Sequence, residues 1–195
     1  SSASTASSSV VPATVPDAPT SITATSSTSG SATVAFTAPV SNGGSAITGY
    51  RITSSPAGAT CVVGANATTY TCTGLTDGTA YTFGVVAINN VGNSVSATSS
   101  AVTTQGAASA PTTISATAGD GKATVTFSGA VANGSTITGY TVQAYDNTGN
   151  AVTGVTCTVT SSATSGSCEV TGLTNGSSYT FKAVTNSTAN STAVS

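Results

Sequence analysis

Histidine, methionine and tryptophan are absent from this chain, and only 4% of its residues carry charge. Acid–base catalysis, nucleophile activation and metal-assisted hydrolysis draw mostly on histidine, paired carboxylates, lysine or an activated cysteine. What remains is five acids, Asp17, Asp77, Asp120, Asp146 and Glu169, scattered among three bases, Arg51, Lys122 and Lys182. No enzymatic site, cofactor or metal centre is expected from so thin a set. Three bases against a net charge of -2 also fall far short of what phosphate neutralisation needs, so nucleic acid is excluded as a partner. Long apolar runs are missing too. Phe83 to Ile88 is the longest and stops at Asn89, far short of the roughly 20 residues that cross a bilayer, so no membrane insertion is expected. An initiator methionine and a basic-then-apolar leader are lacking as well, the pattern expected of a mature or excised product.

Serine and threonine fill the space that charge leaves, at more than a third of the chain, alongside 38% hydrophobic residues. That balance argues against disorder driven by high charge and low hydropathy. The chain also repeats itself. Ala18-Pro19-Thr20, Ala32 to Phe36, Ile47-Thr48-Gly49-Tyr50 and Thr73 to Phe83 return in order as Ala110-Pro111-Thr112, Ala123 to Phe127, Ile137-Thr138-Gly139-Tyr140 and Thr171 to Phe181. Two homologous units of about 90 residues each follow, every one able to build a modest core. The expected organisation is a Ser/Thr-rich segment over residues 1–14, a first domain over 15–105 and a second over 106–195.

Four cysteines fall two to a unit, Cys61 with Cys72 and Cys157 with Cys168, at equal spacing. Four cysteines allow three pairings, and the repeat favours the pairing that stays inside each unit. Closing such a loop stabilises by about 3 kcal/mol in the chain-entropy model. A structural zinc site would want Cys-x-x-Cys clusters or histidines, and neither occurs. Free thiols are the remaining alternative. Persistent disulfides would mean an oxidising location, extracellular or at the cell surface.

Alternation at period two marks the strands. Ala32, Val34 and Phe36 face one way with polar or small residues between them, as do Tyr81, Phe83 and Val85, and turn clusters such as Ser41-Asn42-Gly43-Gly44 separate the runs. Asp120-Gly121 suits a two-residue hairpin loop. No stretch carries helical periodicity, and seven or so short strands in each unit give an all-β protein of two tandem β-sandwiches.

These residues resemble a family, the fibronectin type III domain, in a cysteine-containing, bacterial-looking form. The resemblance rests on the proline-led entries at Ala18-Pro19 and Ala110-Pro111, the Ile-Thr-Gly-Tyr strands at Ile47 to Tyr50 and Ile137 to Tyr140, and Gly-Leu-Thr-x-Gly-x-x-Tyr at Gly74 to Tyr81 and Gly172 to Tyr179. It covers nearly the whole chain from Val15. It implies immunoglobulin-like sandwiches, with Leu75 and Leu173 in the cores and with Tyr81 and Tyr179 making corner hydrogen bonds. The family commonly places tryptophan where this chain has Phe36 and Phe127, a departure that removes buried area without threatening the sandwich.

The repeats differ at their ends. The first unit spends Tyr81 to Thr104 on its last two strands, whereas the second has only the shorter Tyr179 to Ser195, so its last strand is expected to be incomplete. Ser7-Ser8-Ser9-Val10-Val11 stands as far before Ala18-Pro19 as Ser99-Ser100-Ala101-Val102-Thr103 stands before Ala110-Pro111. Residues 7–11 are therefore a candidate donor strand, with a flexible linker as the alternative. The chain is a window on a longer array, or it donates this segment to a neighbouring copy. Its expected partner is itself in a head-to-tail homopolymer, or flanking domains of a longer chain, and a glycan or surface protein stays open.

Asp77, Asp120 and Asp146 sit beside Gly or Asn and read as turn formers, and Asp146 to Asn150 lacks the acidic density of a dedicated calcium loop. The six tyrosines and four phenylalanines are mostly claimed by strand cores, which leaves few platforms for sugar. The expected function is a structural, non-enzymatic extracellular protein repeated along a filament or stalk. The alternative is a binding or spacer module of an adhesin or a secreted polysaccharide-degrading enzyme.

Overall fold

A computed structural model describes residues 4–6, 8–26, 28–61 and 67–189. Among these, all regular structure is β. The first sandwich contains β1 (Thr20–Thr25), β2 (Ser31–Thr37), β3 (Ile47–Ser55), β4 (Thr60–Cys61), β5 (Thr69–Thr73), β6 (Ala80–Asn89), β7 (Ala97–Thr98) and β8 (Val102–Thr103). One sheet runs β1-β2-β5-β4 and the other β3-β6-β7, with β8 also paired to β6. The second sandwich contains β9 (Thr113–Gly119), β10 (Lys122–Ser128), β11 (Ile137–Tyr145), β12 (Ala151–Val159), β13 (Gly166–Thr171) and β14 (Thr180–Ser187). Its sheets run β13-β10-β9 and β12-β11-β14.

Period-two alternation becomes burial. In β2, Ala32, Val34 and Phe36 point inward, and β10 repeats this with Ala123, Val125 and Phe127. Each fully buried aliphatic or aromatic side chain contributes about 1.5–3 kcal/mol, and two separate clusters collect them. The first gathers Val34, Phe36, Tyr50, Tyr70, Phe83 and Val85, with Phe36 edge-on to Tyr50 at 4.7 Å. The second gathers Val125, Phe127, Tyr140, Val142 and Val170, with Phe127 and Tyr140 at 4.5 Å. Phe36 and Phe127 thus fill the central core positions in place of a larger ring.

The two units depart from each other after the Ile-Thr-Gly-Tyr strand. In the second, Asp146 to Asn150 forms a tight return, closed by Asp146 N–H to Asn150 O at 2.9 Å and Gly149 N–H to Asp146 O at 3.1 Å. Gly149 adopts φ +84° there, a conformation that glycine supplies without strain. The chain comes back as β12, hydrogen-bonded to β11. In the first, β3 is followed at once by Pro56, which has no N–H to give a returning strand. The chain instead crosses to the opposite sheet, where the short β4 pairs with β5.

The N-terminal segment is tied to its own sandwich from Thr14 onward. Thr14 N–H donates to Gly43 O at 2.8 Å, and the buried Asn89 amide donates to Thr14 O at 2.7 Å and to Asn42 O at 2.9 Å. Gly43 sits at φ +71° with backbone of Thr14 and Val15 where a Cβ would go, so only glycine fits. Before this anchor, Ser8 to Val11 are exposed and unpaired in any strand, with Val10 85% and Val11 78% exposed. Ser7 of the candidate donor strand lies outside the described residues, as do residues 190–195, where the incomplete last strand was expected.

Candidate functional site

The cysteines pair within each unit, Cys61 with Cys72 and Cys157 with Cys168. The two bonds do different structural jobs. Cys61 and Cys72 are direct cross-strand partners on β4 and β5, Cα to Cα 4.1 Å, within one sheet. Cys157 lies on β12 and Cys168 on β13, so the second bond ties the two sheets together, Cα to Cα 6.2 Å. No cysteine is free.

The acids act in turns. Asp77 holds the β1–β2 turn through Ser29 Oγ and through Gly30 N–H at 2.8 Å. Asn175 occupies the same motif position in the second unit and holds Gly121 N–H at 2.9 Å while donating to Asp120 at 2.7 Å. Asp146 accepts from the Thr148 hydroxyl at 2.7 Å and from the N–H groups of Thr148 and Asn150, each at 2.9 Å. These bonds, that from the Thr148 side chain foremost, hold its carboxyl below the ordinary range. Lys122 and Glu169 form an exposed ion pair at 2.7 Å, of a kind worth little. No three of the metal-ligating side chains come together among the described residues.

The Gly-Leu-Thr-x-Gly-x-x-Tyr motif is where the geometry becomes informative. In the first unit Leu75, Tyr81 and Phe83 are buried. The segment carrying β7 and β8 covers them: Val102 packs on the core, Ser99 N–H donates to Phe83 O at 2.9 Å, and Phe83 N–H donates to Ser99 Oγ at 3.0 Å. Beyond it, Thr104 bonds back to the motif loop, its hydroxyl donating to Thr76 O at 2.6 Å. In the second unit Leu173, Tyr179 and Phe181 are only partly buried. Among the described residues no strand pairs with the outer edge of β14. A cleft of about 240 Å³ opens beside that edge, lined by Ala116 and Ala118 of β9 together with Leu173, Tyr179 and Phe181. This is smaller than the ~300–1,000 Å³ of small-molecule sites, and its walls are mixed, with Lys122, Thr174, Asn175 and Ser177 beside the apolar side chains.

Tyr179 closes the motif loop from within, its hydroxyl accepting from Thr174 N–H at 3.1 Å. That bond lowers the phenol from its ordinary value. Tyr81 is buried beside Phe83, ring centroids 6.5 Å apart. Burial raises the Tyr50 and Tyr140 phenols, and Tyr140 donates to Ala163 O at 2.6 Å. No motif marks Asn89, the anchor of the N-terminal segment, or Gln143, whose amide bridges Val152 O at 2.8 Å and Val155 O at 3.3 Å across the irregular β11–β12 pairing. An isolated amide inside a β run was the available signal.

Comparison with known proteins agrees with this architecture. Chitinase A1 of Niallia circulans is 34% identical over 181 residues, covering 88% of this chain and 23% of that protein, so the chain spans about a quarter of the curated relative it matches. The FN1–FN3 domains of chicken CNTN1 superpose with a TM-score of 0.55 at 16% identity, over 93% of this chain and 65% of that one. A two-domain fibronectin type III segment of chicken tenascin aligns over 91% of this chain and 95% of its own, at 19% identity and a TM-score of 0.42. The model of the fibronectin type III domain matches residues 17–105 and again 109–195. The chain therefore belongs to the fibronectin type III family, as a tandem of two such domains.

Proposed function

We propose that this chain is a structural, non-enzymatic extracellular protein, the repeating subunit of a surface filament or stalk, joined head to tail by strand addition. One observation carries the reading: the motif that is sealed under β7 and β8 in domain 1 lies half open at the edge of β14 in domain 2. An open edge offers unpaired N–H and C=O groups to another strand. A heterologous contact of this type repeats into a ring or a filament. Two supporting features point the same way. Few charges oppose close approach of copies, and two disulfides suit an oxidising exterior. The test is negative-stain microscopy with light scattering on the full chain beside a version lacking residues 1–11. Oligomers that vanish on truncation support the reading, and monomers in both sink it.

A second reading is favoured by the similarity to a chitinase. Here the tandem is a spacer or binding module within a secreted polysaccharide-degrading enzyme or an adhesin. Retention of the purified chain on chitin, absent on an inert matrix, would favour that reading, with a glycan as the partner.

A further inference from the structure

Domain 1 shows what covers the strand edge that stays unpaired, among the described residues, in domain 2. Its β8 segment, Ser99-Ser100-Ala101-Val102-Thr103, seats Val102 on the core and exchanges two hydrogen bonds with Phe83 through the backbone and hydroxyl of Ser99. By the repeat, Phe181 stands where Phe83 does, and Ser7-Ser8-Ser9-Val10-Val11 stands where that segment does. Val10 is thus the counterpart of Val102, yet it is 85% exposed in its own chain.

We propose that the cleft between β9 and β14 is an acceptor site for Val10 of a second copy of this chain. The incoming segment lies along the outer edge of β14 in the register β8 uses on β6. The proposal rests on the head-to-tail reading above and names its partner residue and register. Val10 enters between Ala116, Leu173 and Phe181, converting a side chain in water and a partly wetted cleft into one buried contact. Pro12 takes the position of Thr104 but lacks the N–H that Thr104 donates to Thr79 O. The donated strand therefore ends at Val11. Thr14 is held on the donor's own domain, the four residue steps from Thr14 to Val10 reach about 14 Å fully extended, and Val10 already stands clear of its own surface.

The occupant is specified by sequence as well as by shape. Val40, at 93% exposed, and Val95, at 77% exposed, are equally available apolar groups, but neither stands in a segment equivalent to β8. Val40 serves as the control.

The experiment compares four full-length proteins by light scattering across a concentration series: the native chain, Val10→Asp, Val40→Asp, and the native chain extended after Ser195 by a copy of residues 98–105. The extension supplies the strand in cis. The expected result is assembly in the native chain and in Val40→Asp, a concentration for half-assembly raised at least tenfold in Val10→Asp, and loss of assembly with a higher Tm in the extended chain. Assembly that survives Val10→Asp but is lost on removing residues 1–11 overturns the proposed register and key residue while leaving head-to-tail assembly intact. Monomers throughout, with a higher Tm only in the extended chain, overturn both and assign the edge to a continuation of the same chain.

Discussion

Domains 1 and 2 share the sequence Gly-Leu-Thr-x-Gly-x-x-Tyr-Thr-Phe and bury it differently. Leu75, Tyr81 and Phe83 are inside, whereas Leu173, Tyr179 and Phe181 stay partly wet. Local sequence is the same, so the cause lies in what packs on it from a distance. In domain 1 that is Val102 and the segment around Ser99, some 20 residues along the chain. The difference teaches that burial in a sandwich belongs to the pair of sheets and not to the motif, and that a strand edge unpaired among the described residues goes with an open cleft while the strand itself stays formed. Its most direct test is a matched pair of truncations. Phe83→Ala should cost domain 1 about 4 kcal/mol, the range for a fully buried phenylalanine. Phe181→Ala should cost domain 2 about half of that, because part of its ring surface is already exposed. Hydrogen exchange read by mass spectrometry under increasing denaturant separates the two domains. In the chain extended by residues 98–105, the Phe181→Ala cost should rise toward the Phe83→Ala value. Equal costs in the unextended chain would erase the comparison.

The covalent frames supply a control, since the two disulfides close loops of the same sequence separation, 11. The chain-entropy argument then gives the same stabilisation, about 3 kcal/mol, to each domain. Replacing Cys61 and Cys72 by alanine, or Cys157 and Cys168 by alanine, should therefore shift each domain's exchange midpoint by a similar amount. A much larger loss in domain 2 would show that joining two sheets matters more than loop length there. The domain contrast would then lie in the cross-links as well as at the edge.

How far the sequence could be read follows the same division between local and distant causes. Strand identity was legible because alternation at Ala32-Val34-Phe36 and Ala123-Val125-Phe127 is local. So was the Asp120-Gly121 loop, which joins β9 to β10 with Gly119 opposite Lys122. The pairing of β4 was not legible, since Cys61 and Cys157 have the same spacing to their partners and still sit on strands that join different sheets. That choice turns on Pro56 against the Asp146–Asn150 return, a contrast visible in sequence but interpretable only once the competing sheets are known. The half-open state of Leu173 was also hidden, because the resemblance placed it in the core beside Leu75. Only the mismatch between Tyr81–Thr104 and Tyr179–Ser195 hinted at it. Asn89 was legible only as the amide that ends the Phe83–Ile88 run, as its partners Thr14 and Asn42 are far away in the chain.

A smaller contrast sits deeper in β14. Thr185 is fully buried and its hydroxyl has no hydrogen-bond partner among the described residues. The equivalent residue of domain 1 is Ala87, which has no hydroxyl to satisfy. A buried unpaired hydroxyl costs about 1–3 kcal/mol, so Thr185→Val, which keeps the shape, should stabilise domain 2 by about 1 kcal/mol. Chemical denaturation followed by domain-resolved exchange would detect it. A loss of stability would mean that the hydroxyl has a partner after all.

The smallest expected effect concerns the turn that sends domain 2 along its own path. Asp146 has its carboxyl held below the ordinary value of 3.8, first by the Thr148 hydroxyl and next by the Asn150 N–H. A carboxyl lowered on folding stabilises fully above its unfolded value, and that contribution fades as pH falls through the folded value. Asp146→Asn keeps an oxygen for the same N–H donors but no charge, so it should lose a little stability at pH 7. The gap between it and the native chain should then close as pH falls below about 4. Because the group lies at the surface, salt should narrow the gap at neutral pH as well. A gap that stays constant from pH 7 to pH 2 would assign the turn's stability to Gly149 and the backbone bonds alone. The return of β12 onto β11, and with it the divergence of the two domains, would then rest on glycine against proline and not on the carboxylate.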